Sequence, residues 1–270
     1  MRILLAAFAL SAAAGPSVVA QTLPQGVMGV RLLGGWQQAD GSRIAAVEIE
    51  LVPGWHTYWR VPGDAGIPPD FDWSGSRNLA SVAYQWPRPT LFEGEGLRTI
   101  GYSDALVLPV RLTPADPSAP VDLRLVASFG VCEDICVPAE ATVSARLAPD
   151  APIQGRAEIE AALASRAQSA VEAGVVDATC ALVPGSDGYR IDATVTFADA
   201  PGPGQYAVLE SSQPDLWIGP AESETRGRSI RVVAPVDAGS AGPVLERRSL
   251  RLTVLDDRRA VDIEGCTAPG

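Results

Sequence analysis

The residues on either side of the cysteine pair Cys132 and Cys136 alternate between apolar and polar side chains, and this pattern restricts the local fold. In residues 122–131 the odd positions are apolar and the even positions are mostly polar. The same parity continues through residues 137–147. A period of two is typical of a β-strand with one buried face. The sequence therefore predicts a β-hairpin with the cysteines at the ends of its two arms.

Both cysteines occupy even positions, and the three residues 133–135 connect them. A three-residue connection sets the flanking residues opposite each other, with Cα atoms about 4.5 to 5.5 Å apart. Disulfide geometry accepts about 4.4 to 6.8 Å, so the pair can close. Parity predicts that both sulfurs lie on the solvent face. Pro138 cannot donate a ladder hydrogen bond, which favours an edge strand.

The first 20 residues predict export. Arg2 is followed by a short apolar run and then by small residues, which is typical of a signal peptide with the mature chain starting at Gln21. No later stretch approaches the roughly 18 to 20 apolar residues of a membrane helix, so we expect no membrane insertion. Exported cysteines normally form disulfides, and four cysteines allow three pairings. Sequence proximity favours Cys132 with Cys136 and leaves Cys180 with Cys266 as a structural disulfide.

The charge balance argues against a polyanionic partner. The chain has 32 acidic and 21 basic residues, a formal net charge of -11, and no lysine. Nucleic acids and anionic membrane surfaces need a basic face, so we expect neither as a partner. His56 is the single histidine. Too few ligands remain for a metal site once the cysteines pair, and a Ser-His-Asp hydrolase would depend on that same residue. We expect no metal and no cofactor.

Short alternating segments separated by Pro and Gly predict a mainly β fold, with two immunoglobulin-like β-sandwich domains joined by a short helical connector. The roughly 250 residues of the mature chain suffice for two cores. Residues 156–172 have near-helical spacing of apolar residues and predict a helix. The expected divisions are a signal peptide at 1–20, a first domain at 21–150, the connector at 151–174 and a second β-sandwich at 175–270.

Several separated motifs of the first domain resemble the periplasmic N-terminal domain of DsbD- and ScsB-type thiol:disulfide interchange proteins, most closely the ScsB-like branch. The resemblance covers roughly residues 25–147. Its motifs, in chain order, are Pro53, Gly54, Trp55, His56, Thr57, Tyr58, Trp59 and Arg60; Pro62, Gly63 and Asp64; Pro68, Pro69 and Trp73; Trp86, Pro87, Arg88 and Pro89; Gly101 and Tyr102; and Cys132, Glu133, Asp134, Ile135, Cys136, Val137 and Pro138.

The resemblance implies that the cysteine pair is a redox-active centre that relays reducing equivalents from a membrane electron-transfer protein to thioredoxin-like periplasmic proteins. It implies that Cys136 forms the mixed disulfide and Cys132 resolves it. Related domains cap the active disulfide with a loop, and the candidate here consists of Phe92, Glu93, Gly94, Glu95 and Gly96. The best-known members have a longer spacing between the cysteines and continue into membrane and thioredoxin-like domains. We therefore expect this chain to be a shuttle that a separate membrane reductase recharges, or a paralogue that has taken up another task.

Two interpretations of the pair stay open. Glu133 and Asp134 should hold the thiols at or above the ordinary cysteine pKa of roughly 8.5, which fits a passive relay better than a strong oxidant. The alternative is a non-catalytic periplasmic protein-binding or assembly module in which the pair is a structural clip. That module would bind a partner through an exposed aromatic face. The other interpretation of these large aromatic residues is that they fill a core or form the wall of a site. The aromatic residues concerned are Trp55, Tyr58, Trp59, Trp73, Tyr84, Trp86, Phe92 and Tyr102.

Overall fold

The computed structural model of the protein describes residues 23–94, 96–185, 188–237 and 244–270. The predicted signal peptide at residues 1–20 therefore lies outside the described residues. Within the described ranges, strands dominate and one α-helix is present, which confirms the prediction of a mainly β fold. No helix in these ranges is long and apolar enough to cross a membrane.

The first half of the chain folds into two facing sheets. One has the strand order β1-β2-β8-β5 and the other β10-β9-β3-β7-β6, with β4 paired to β9. Apolar residues of both sheets, such as Val47, Leu108 and Phe129, share one buried cluster. The strands are β1 (Val27–Gln37), β2 (Arg43–Leu51), β3 (His56–Gly63), β4 (Asp70–Asp72), β5 (Leu79–Tyr84), β6 (Thr90–Gly94), β7 (Leu97–Ser103), β8 (Ala105–Pro114), β9 (Val121–Cys132) and β10 (Cys136–Leu147).

The second half is another pair of sheets around its own core. The strand orders are β11-β19-β18-β14 and β12-β13-β17-β15, with β16 paired to β17. Ile191, Ile230 and Leu252 are among the buried residues between the sheets. The strands are β11 (Gln168–Ser169), β12 (Val175–Gly185), β13 (Gly188–Phe197), β14 (Tyr206–Ser211), β15 (Trp217–Ile218), β16 (Glu222–Arg226), β17 (Ser229–Asp237), β18 (Leu250–Leu255) and β19 (Ala260–Glu264).

The helix between the halves is shorter than the sequence predicts. Helix α1 spans Arg156–Ala164, and the prediction of helix as far as residue 172 is wrong. The Ser165 hydroxyl donates to the Ala162 carbonyl at 2.9 Å, and from Gln168 the chain pairs with β19 as strand β11. Ala170, which contributed to the helical spacing, packs against the second core instead. Its apolar side chain therefore marks a contact with the second core, and not the buried face of a helix.

The two halves meet through a partly buried arginine and a shared apolar cluster. Arg60 of β3 donates to Glu210 at 3.0 Å and to Thr253 at 2.9 Å, and its guanidinium lies 3.7 Å from Asp262. The first core also continues into the second half. The buried second-half residues that join it are Val208, Leu255 and Ala260, and the partly buried Ala167 and Tyr206 pack against it. We keep the domain divisions at residues 150 and 174 as a proposal.

Candidate active disulfide

The cysteine hairpin forms in the predicted register. Strands β9 and β10 pair antiparallel, with Cys132 opposite Cys136 and an unbroken ladder down to Val121 opposite Leu147. The two sulfurs are bonded, and the Cα atoms are 4.2 Å apart. Strand β10 lies at the edge of its sheet, as Pro138 predicted. A disulfide at the end of an edge hairpin can be approached by another protein.

The two sulfurs differ in exposure, so the prediction that both lie on the solvent face is wrong for Cys132. Cys132 is only 6% exposed, whereas Cys136 is exposed. The even face of β9 is covered near its end, because a Cβ on Gly130 would lie 2.7 Å from Ile67 and 2.8 Å from the Tyr58 ring. These residues precede Gly130 and Cys132 by more than 60 positions, and strand alternation cannot report them. An incoming thiolate therefore meets Cys136 first.

Tyr58 supplies a hydrogen bond to the exposed sulfur. Its side chain is fully buried, and its hydroxyl lies 2.8 Å from the Cys136 sulfur. A disulfide sulfur carries no hydrogen, so the hydroxyl donates. Burial raises the pKa of Tyr58, which keeps the donor protonated at neutral pH. The sequence placed Tyr58 in the first resemblance motif and among the aromatics of a core or site wall, and its polar role was missed because 78 positions separate it from its partner.

An aromatic layer adjoins the disulfide. His56 of β3 pairs with Cys132 of β9, and directly paired residues project on the same side of a sheet. The Phe92 ring stacks on His56 with centroids 4.7 Å apart, and the Tyr58 ring meets His56 edge-on at 5.4 Å. Burial lowers the pKa of His56, so the imidazole is neutral at pH 7. Phe92 thus lies within the layer beside the sulfurs while Cys136 stays exposed.

The candidate cap is a hairpin and not a loop. Phe92, Glu93 and Gly94 belong to β6, Gly96 lies in the turn before β7, and Glu95 is outside the described residues. On this hairpin, Arg98 pairs with Glu93 at 3.2 Å and its guanidinium lies 5.2 Å from the centre of the Tyr206 ring. The hairpin therefore contacts the second half of the chain as well as the aromatic layer.

The second disulfide lies in a different setting. Cys180 of β12 is 1% exposed and is bonded to Cys266, with Cα atoms 5.8 Å apart. Backbone hydrogen bonds from Cys180 to Thr267 and from Thr267 to Ala178, each 2.9 Å, hold the same two segments together. The bond is part of the second core, in contrast to the Cys136 sulfur on the surface.

Most of the aromatic cluster is packed in or against the first core, which leaves little of it for a binding platform. Trp55, Trp59 and Tyr102 are buried there, and Trp73, Tyr84 and Trp86 pack against the same cluster. Within the residues that the structure describes, no group of three or more His, Cys, Asp or Glu side chains is placed to hold a metal ion. The chemistry that the described arrangement offers is that of the two sulfurs.

Comparison with known proteins finds similarity to thiol:disulfide interchange proteins. Residues 30–148 match the family model described as the N-terminal region of thiol:disulfide interchange protein DsbD. The fold is similar to the crystal structure of the N-terminal periplasmic domain of ScsB from Proteus mirabilis, at 21% sequence identity, with a TM-score of 0.64, over 87% of this chain and 91% of that one. No curated protein matches the chain. The structural likeness shows a shared fold that extends beyond the residues of the family match.

Proposed function

We propose that the chain is a periplasmic thiol-disulfide interchange protein, because residues 30–148 match the DsbD N-terminal family model and the fold is similar to that of the ScsB periplasmic domain. It takes reducing equivalents from a membrane electron-transfer protein and passes them to thioredoxin-like periplasmic proteins. The observation that supports this role most directly is the Cys132–Cys136 disulfide at a hairpin end, with one sulfur buried and the other exposed. The predicted signal peptide and the periplasmic origin of the Proteus domain support the location.

The proposed exchange follows from the exposure of the sulfurs. A donor thiolate attacks the Cys136 sulfur, the Cys132–Cys136 bond breaks, and its electron pair leaves on Cys132, which takes up a proton. The second thiolate of the donor then attacks the donor sulfur of the mixed disulfide and releases Cys136. The donor ends as a disulfide and this chain as a dithiol. The reverse steps, starting with attack by Cys136 on an acceptor disulfide, reduce the acceptor.

Tyr58 fits this cycle at the step where charge develops. When Cys136 leaves as a thiolate, the hydroxyl that lies 2.8 Å from its sulfur donates to a full negative charge. Hydrogen bonds to charged groups are stronger than those between neutral groups. The hydroxyl therefore stabilises the thiolate at the sulfur that a partner reaches.

The geometry supports the structural-clip alternative less well than it supports the redox role. In the chain-entropy model, a bond between residues separated by 4 positions stabilises the fold by about 2 kcal/mol, whereas one across 86 positions contributes about 4 to 5 kcal/mol. The hairpin is also held by its full ladder of paired residues. A clip at this position adds little, so we assign the structural role to Cys180–Cys266 and the redox role to Cys132–Cys136.

The experiment compares the two bonds in one molecule. The oxidised, folded protein is treated with a reduced thioredoxin-like protein, and both bonds are followed by alkylation and mass spectrometry. Cys132–Cys136 should open well before Cys180–Cys266, and equal resistance of the two bonds would contradict the redox role. A Cys132→Ser variant should then trap the partner on Cys136. The matched Cys136→Ser variant leaves the buried sulfur and should trap far less.

A further inference from the structure

An exposed isoleucine occupies the turn beside the reactive sulfur. Ile135 is 75% exposed and immediately precedes Cys136. Turn positions usually carry Gly, Asn, Asp, Ser or Pro, each of which helps the backbone to reverse. Isoleucine offers the turn no such help, and in this position its side chain packs against no core. Folding therefore does not account for the apolar side chain at this site.

The surroundings of Ile135 are acidic. Glu133 and Asp134 share the turn and Glu140 follows on β10, and all three side chains are exposed. The chain contains no lysine, and the segments 44–59 and 125–145, which include the first four residues of the adjoining strand β3 and the hairpin end, contain no arginine. Charges at the rim of an interface mainly set the rate of encounter and the choice of partner. The hairpin end thus combines an apolar side chain, a negative field and an accessible sulfur.

We infer that the hairpin tip, residues 133–136, is the docking surface for the redox partner. The partner that fits is a thioredoxin-like protein whose face around its reactive cysteine has an apolar depression for Ile135 and basic side chains opposite Glu133 and Asp134. This inference rests on the proposed function and specifies the chemistry of the protein that the site accepts. Charge complementarity favours such a partner over one with an acidic cysteine face.

The first test removes the apolar contact. Ile135→Ala should lower kcat/KM for reduction by a thioredoxin-fold protein with a basic cysteine face by roughly ten-fold, mainly through KM, because burying such a side chain supplies binding energy. The rate with dithiothreitol should stay unchanged, since that reductant needs no docking surface. The matched control is Val171→Ala, at a residue that is 88% exposed in the segment after α1, and it should change neither rate.

The second test removes the charge. Glu133→Gln with Asp134→Asn should slow exchange with the basic-faced protein several-fold at low salt, and the difference should shrink at high salt. A thioredoxin-fold protein with an acidic cysteine face should react slowly with the wild type. An unchanged protein exchange rate for Ile135→Ala, or an equal loss with dithiothreitol, would overturn the inference. If neither protein opens the bond in the wild type while dithiothreitol does, the proposed function itself is overturned, and the inference with it.

Discussion

Replacing Tyr58 with phenylalanine should slow the reaction of the reduced Cys136 thiol. The hydroxyl lies 2.8 Å from the Cys136 sulfur on a fully buried side chain, so the change removes one donor without altering the packed ring. A hydrogen bond to a charged group contributes about 1.5 to 3 kcal/mol. Because Cys136 is exposed and water replaces part of the interaction, we expect a loss of about 1 to 1.5 kcal/mol. That loss lowers the thiolate population at pH 7 by about five- to ten-fold.

The assay is alkylation of the reduced protein with iodoacetamide between pH 6 and pH 10, with the modified peptide identified by mass spectrometry. Tyr58→Phe should react about five- to ten-fold more slowly near pH 7 and should approach the wild-type rate at the alkaline end. The matched control is Tyr102→Phe, which removes another buried hydroxyl, one that donates to the Pro87 carbonyl at 2.8 Å. That variant should lose stability by about 1 to 3 kcal/mol and keep the wild-type alkylation rate. Equal rates for Tyr58→Phe and the wild type across the pH range would refute the argument.

Three further outcomes are expected. Neutralising Glu133 and Asp134 should modestly raise the rate of alkylation by uncharged iodoacetamide near pH 7, and the gain should be smaller in high salt. The same change should lower the rate of exchange with a basic-faced protein, so the two effects have opposite signs. Arg60→Met removes the partner of Glu210 and one of the two arginines beside Asp262, which keeps Arg251. It should lower the free energy of unfolding in urea by about 2 to 3 kcal/mol, so a loss below about 0.5 kcal/mol would count against the contact. Burial lowers the pKa of His56, so the unfolded chain takes up the proton first as the pH falls. Stability should therefore decline on acidification through about pH 6.5, and His56→Gln should remove that part of the decline in urea unfolding measured at several pH values.

The parts of the site that depend on local pattern could be predicted from the sequence. The hairpin and its register follow from alternation and a three-residue turn, and the edge position follows from Pro138. The exposure of Cys132 could not be obtained in this way, because Ile67 and Tyr58 cover its face from a distant part of the chain. The hydrogen bond from Tyr58 to Cys136 could not be predicted for the same reason. Neither contact leaves a periodic signal in the residues that make it.

The helix and the cap show two other limits. Apolar spacing after residue 164 suggested more helix, but the same residues serve the second core, and spacing alone cannot distinguish the two roles. The segment Phe92–Gly94 was expected in a glycine-rich loop, yet it is an edge strand completed by β7. Its partner strand was not predicted, because the pattern of residues 97–103 carries no clear alternation. In both segments the observed structure depends on which strand the segment pairs with, more than on the local strand propensity of its residues.

Under the proposed export to the periplasm, the spacing of the four cysteines has a consequence for the order in which the disulfides form. Cys132 and Cys136 are 4 positions apart and emerge almost together, so their sulfurs meet by closing a very short loop. Cys180 must wait while 86 further residues cross before its partner arrives. Rapid closure of the first pair removes Cys132 and Cys136 as competing partners for Cys180 during that delay. In the proposed export, the order of emergence would guard the second half against scrambled bonds, and Cys132–Cys136 would be the first disulfide that the chain acquires.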